Sequence, residues 1–146
     1  ILKEPLLYLS VFFKHHRQVY YEHLQQVRLT GDWEAWLLFF VDAIADTANK
    51  AVQTAQDLNT LLAADKVRLA ELGRLSGSAN QVMDALFSHP VANIGALHQQ
   101  TGLTHATIGK VLDALEHQLG LVREITGQKR NRVYAYTAYI DILNRD

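Results

Sequence analysis

The chain has 146 residues, 49% of them hydrophobic, a formal net charge of -1 and no cysteine. That is enough apolar material for one large or two small cores. It excludes a disulfide framework, a thiolate metal site and the bulk cationic balance of a protein that coats DNA or an anionic membrane, so any electrostatic steering must come from a local patch.

The first residues are apolar but interrupted by Lys3, Glu4 and Pro5. With no small-residue cleavage site they read as neither a signal peptide nor a membrane span, and a reducing cytoplasm is the expected setting. Because residue 1 is Ile rather than Met, the chain is expected to start inside a longer protein. Pro5 suits the opening of a first helix, whose apolar face continues through Leu6, Leu9, Phe12 and Phe13. A second amphipathic run covers residues 14–28, with Val19, Leu24 and Val27 inside, and Gly31 stops it. Asp32 then reads as the cap of a much longer helix, with Glu34 near its positive end.

The long helix shows a stripe of Trp33, Leu37, Phe40, Ile44, Ala48, Val52, Ala55, Leu58 and Leu62 at steps of three or four. Unbroken to Leu72 it would be about 60 Å long, and a break near Asn59 or Asp65 is the alternative. Two short helices cannot cover that length. Part of the stripe must meet an upstream segment, the C-terminal part of the chain or a second copy. Gly73 to Gly77 reads as a linker, which divides the chain into 1–72, 73–77 and 78–146. Ser78 and Gln81 form a capping box for a helix that buries Val82, Leu86 and Phe87, and Pro90 closes it.

Residues 94–136 carry the most specific pattern. Asn93 can cap a short helix, Gly102 supplies a turn, and Thr104 caps a second helix with Ile108, Val111, Leu112 and Leu115 as one buried stripe. Gly120 ends that helix. Leu121 to Ile125 and Arg132 to Tyr136 read as two strands around a loop that bears Lys129, Arg130 and Arg132. Tyr139, Ile140, Ile142 and Leu143 suggest a last helical turn or two. The fold class expected is therefore mainly α: a helical bundle remnant with a long helix, then a winged helix-turn-helix with a small antiparallel β-hairpin.

In that geometry Thr104, His105, Thr107 and Lys110 face a DNA major groove, and Lys129, Arg130 and Arg132 reach phosphates. Against this, a basic loop can be no more than a solvated turn. Residues 78–146 also balance six cations (Lys110, Arg123, Lys129, Arg130, Arg132, Arg145) against six acids (Asp84, Asp113, Glu116, Glu124, Asp141, Asp146). His15, His16 and His23 lack a carboxylate at metal-ligand spacing and read as solvated helix faces. No phosphate-binding Gly-rich loop, nucleophile elbow or paired acid motif is present. Trp33, Trp36, Phe39 and Phe40 read as core.

Two stretches carry a resemblance. Pro5-Leu-Leu-Tyr-Leu-Ser10, Arg17-Gln-Val-Tyr-Tyr21, Gly31-Asp-Trp-Glu-Ala-Trp36 and Phe39-Phe40 resemble the closing helices of the Fic fold, the protein adenylyltransferases named for filamentation induced by cAMP. Thr126-Gly-Gln-Lys-Arg-Asn-Arg-Val-Tyr-Ala-Tyr136 is similar to the wing appended to many bacterial members. The resemblance implies a cytoplasmic parent that transfers AMP from ATP to a protein hydroxyl, using Mg.

The family signature, His-Pro-Phe-x-Asp-Gly-Asn-Gly-Arg, is absent. His89-Pro90 is followed by Val91-Ala92-Asn93 and cannot stand in for it. The chain alone is thus expected to be no enzyme and to hold no cofactor or metal, ATP and Mg belonging to the parent. Its expected partners are double-stranded DNA, through the second helix and the wing, or a target protein or second copy docked on the same module. No membrane partner is expected.

Overall fold

A computed structural model of the chain describes residues 9–145. The chain divides into two compact units between Gln56 and Asp57. The helix start expected at Pro5 and Leu6 lies outside the described residues.

The first unit holds α1 (Leu9–His15), α2 (Arg17–Thr30) and the opening of α3 (Trp33–Leu69). Gly31 adopts a left-handed φ of 73°, and its N–H closes α2 on the Val27 carbonyl at 3.0 Å. One residue on, the Asp32 carboxylate accepts the Ala35 N–H at 3.2 Å, so α3 starts where the cap places it. Rings join the three helices. Phe13 lies 5.9 Å from Phe39 and 6.1 Å from Phe40, and Tyr20 meets Trp36 edge-on at 5.3 Å.

The packed face of α3 here differs from the stripe read in the sequence. It runs through Trp36, Phe40, Ala43 and Thr47, while Trp33, Leu37, Ile44 and Val52 stay exposed. The helix is apolar on two adjacent faces, and periodicity alone cannot tell which one meets the rings of α1 and α2. Small Ala43 and Thr47 are the residues buried, and Thr47 turns its hydroxyl onto the Ala43 carbonyl at 2.7 Å.

The second unit takes the rest of α3, a 3-10 turn (Ala70–Leu75), α4 (Ser76–Ser88), β1 (Val91–Asn93), α5 (Ile94–Thr101), α6 (His105–His117), β2 (Arg123–Glu124), β3 (Val133–Ala135) and α7 (Thr137–Leu143). Helix α3 passes Asn59 and Asp65 without a break and ends at Leu69. The Gly73 to Gly77 stretch is helical rather than extended, with a kink at Gly73 (φ 54°, ψ -115°). Leu61, Leu69, Leu72 and Leu75 all join the core of this unit, which is why the chain turns tightly there. The same packing overrides the Ser78–Gln81 capping box. Helix α4 begins at Ser76, directly off the 3-10 turn, with no side-chain cap.

The core of the second unit is built on α6, whose Ile108, Val111, Leu112 and Leu115 are fully buried as their spacing requires. Each such side chain contributes about 1.5–3 kcal/mol by leaving water. Val82, Met83 and Leu86 of α4 and Leu97 of α5 pack on them. The sheet has three antiparallel strands in the order β1-β3-β2, where the sequence suggested a two-stranded hairpin. Val91 pairs with Ala135, Asn93 with Val133 and Glu124 with Tyr134. β1 is too short and too far in sequence from β3 to show as a strand. Among the described residues, no helix is long and apolar enough to cross a membrane.

Candidate nucleic-acid interface

Helices α5 and α6 are set by local hydrogen bonds that the sequence specifies. Asn93 accepts the Ala96 N–H at 2.8 Å, and Gly102 turns the chain with φ 71°. Thr101 gives its hydroxyl to the Leu97 carbonyl at 2.7 Å and accepts the Leu103 N–H at 3.2 Å. Thr104 accepts the Thr107 N–H at 3.2 Å, and the two hydroxyls stand 2.9 Å apart. Thr104 and Thr107 are therefore engaged in the cap, and they can meet a ligand only with the hydrogen-bonding capacity left over.

The exposed surface of α6 begins at His105, whose ring lies 4.6 Å from that of His98. His98 Nδ1 stands 2.7 Å from the Leu103 carbonyl, which can only accept, so this nitrogen carries the proton. Lys110 follows one turn on, exposed and without an ion pair among the described residues. Next comes Asp113, 3.3 Å from His117 Nδ1. The outward face thus changes from basic to mixed along its length.

The loop between β2 and β3 is folded from within by Glu124. Its carboxylate accepts the N–H groups of Thr126 at 2.8 Å and Gly127 at 2.9 Å and also the Thr126 hydroxyl, while its own N–H goes to Glu116 at 2.8 Å. The Thr126 hydroxyl is the main reason the Glu124 carboxyl sits below its usual range. Desolvation opposes it, and the Thr126 and Gly127 amides and the charge of Arg132 add to it. Gly127 and Asn131 take left-handed φ angles of 64° and 53°, the second being a conformation asparagine tolerates. Beyond this anchored start of the loop, Lys129, Arg130 and Arg132 are exposed. Arg132 lies over the Tyr134 ring at 5.6 Å, and Lys129 and Arg130 have no ion pair among the described residues.

A polar cluster that sequence reasoning missed joins α3 to the end of β3 around two buried residues, Asp65 and Tyr136. Tyr136 is fully buried and donates to Asp65 Oδ2 at 2.5 Å, Arg68 Nη1 stands 3.6 Å from Asp65 Oδ1, and Arg68 Nη2 donates to the Leu119 carbonyl. Burial and the neighbouring carboxylate push the Tyr136 hydroxyl well above the tyrosine range. The available signal was an acid at Asp65 in phase with Leu58, Leu61, Leu62 and Leu69.

An open groove of about 700 Å³ between α4 and α5 is lined by Gln81, Asp84, Ser88, His89, Gln100 and Thr101. Here His89 meets Gln100 at 3.3 Å. No group of three or more metal-ligating side chains occurs among the described residues. No family model matches the chain.

Proposed function

We propose that residues 57–145 form a winged helix that binds double-stranded DNA through α6 and the β2–β3 loop, as the regulatory module of a bacterial, cytoplasmic Fic-type adenylyltransferase. The observation that carries the reading is the loop. Three exposed cations, Lys129, Arg130 and Arg132, stand on a loop whose opening residues, Thr126 and Gly127, are held by Glu124, which lowers the ordering that binding demands. Helix α6 supports it by presenting His105 and Lys110 directly after a satisfied N-cap, where a groove-reading helix makes its base contacts. AMP transfer, with ATP and Mg, belongs to the parent and uses no residue of this chain.

The test is fluorescence anisotropy on a duplex over a salt series. Each phosphate contact contributes roughly 0.9 to the slope of log affinity against log salt. Replacing Lys129, Arg130 and Arg132 with Ala should lower that slope by about 2 to 3 and weaken all sequences alike. An unaltered slope removes the loop from the interface.

The second reading is a protein-docking module, favoured by the Asp113–His117 pair on the outer face of α6 and by the formal neutrality of residues 78–146. It predicts no salt-dependent DNA binding in the intact chain.

A further inference from the structure

We infer that Glu116, in the last turn of α6, is a positioning residue for the β2–β3 loop: it ties the sheet edge to the helix, so that the loop cations and the outer face of α6 are offered to one duplex in a fixed relation. The inference rests on the DNA-binding reading above and adds to it a residue that need touch no DNA.

The strand β2 is two residues long and lies at one end of the β1-β3-β2 sheet. It pairs with β3 alone, and the Ile125 N–H closes that side on the Val133 carbonyl at 2.9 Å. Alternation along the strand turns the Glu124 N–H to the open edge, where it needs an acceptor from outside the sheet. Glu116 supplies it, with Oε1 at 2.8 Å. The Glu124 carboxylate then reaches forward to the N–H groups of Thr126 and Gly127. Helix, strand and the start of the loop are thus joined in sequence by two carboxylates. Because only Arg123 and Glu124 pair with β3, one bond to an ionised acceptor is a large share of what fixes β2.

Charge alone makes the opposite prediction for Glu116. A carboxylate on a helix that approaches phosphates repels them, so any uncharged replacement should tighten binding. A positioning role separates two such replacements. Gln keeps the length of the side chain and an oxygen that accepts the Glu124 N–H, whereas Ala leaves that N–H without its acceptor and frees the strand.

The test is the duplex affinity of the whole chain and its variants by fluorescence anisotropy at one salt concentration, with amide exchange followed by NMR on the same proteins. Glu116→Gln should bind at least as tightly as wild type, and Glu116→Ala about 10-fold more weakly, the low end for loss of a hydrogen bond to a charged group. In Glu116→Ala the amides of Thr126 and Gly127 should exchange faster, while those of Ile108 and Leu112 in the buried stripe of α6 keep their protection. Glu116→Asp keeps the charge and withdraws the acceptor by one carbon; it should also weaken binding and replaces the Ala variant if that one does not fold. Equal tightening by Gln and Ala, or wild-type exchange at Thr126 and Gly127 in Glu116→Ala, overturns the inference. Duplex binding by none of the proteins refutes the DNA reading instead, and the exchange rates then decide the role of Glu116 by themselves.

Discussion

Tyr136→Phe probes a contact between the second unit's core and Asp65, the buried charged residue among those described. The substitution keeps the ring in its fully buried site and deletes the hydroxyl that lies 2.5 Å from Asp65 Oδ2. A hydrogen bond to a charged acceptor contributes about 1.5–3 kcal/mol. Asp65 is 4% exposed, so water cannot replace the lost donor. Arg68, 3.6 Å away and 44% exposed, is a weak substitute because its charge is screened by solvent. The expected loss is therefore about 2–3 kcal/mol. For a unit of this size that lowers Tm by roughly 10–20 °C.

The Tyr136 hydroxyl is held above its ordinary value of 10.0, so its contribution is complete below that pH and is lost only as pH rises through the higher folded value. The gap between wild type and variant should thus be constant from neutrality to about pH 9. Near-UV circular dichroism melts measure it, and Asp65→Asn completes a double-mutant cycle with an expected coupling of at least about 1 kcal/mol. A Tyr136→Phe protein that melts within about 2 °C of wild type refutes the reasoning.

Three further outcomes follow from particular residues. Gly109 lies inside α6 with nothing within 4 Å of where a Cβ would stand, so Gly109→Ala should stabilise by about 0.5–1 kcal/mol, read in a urea melt as a higher midpoint at unchanged slope. Glu124, whose carboxyl is held below its usual 4.5, stabilises the loop above that pH and loses the effect as pH falls through its lowered value. Acid melts of wild type should therefore converge on those of Glu124→Gln, and a constant gap would contradict this. A chain beginning at Asp57 should melt cooperatively, whereas one beginning at Ser78 should not, because it lacks Leu61, Asp65, Leu69, Leu72 and Leu75; equal cooperativity would detach these residues from the core.

The local grammar of the chain was legible. Caps at Asp32, Asn93 and Thr104, left-handed turns at Gly31 and Gly102 and the α6 stripe depend on residues a few positions apart, and all form as read. What was not legible depends on contacts distant in sequence. β1 exists because Val91 to Asn93 pair with Val133 to Ala135, which no local pattern encodes. Gly73 and Gly77 look like punctuation, yet the leucines around them anchor that turn in the core. Asp65, read with Asn59 as a possible place for a helix break, lies in an unbroken helix, and its partner, Tyr136, is 71 positions away. Of the candidate interface, the loop cations and Lys110 are exposed as expected, while Thr104 and Thr107 face each other within the cap.

Net charge is a poor guide to the field at the loop, for a reason visible in the bonding. Of the acids that balance the cations between residues 78 and 146, Glu124 is turned inward onto the amides of its own turn and Glu116 onto the Glu124 amide. Asp84 pairs with Lys66 and Asp113 lies against His117. Lys129 and Arg130 have no such partners among the described residues. Salt confines each charge to a Debye length of about 8 Å, so the exposed cations at the loop tip act on the first phosphate they meet whatever the sum over the chain. The neutrality that argues against nucleic acid is thus a property of the sum, and the loop tip is cationic.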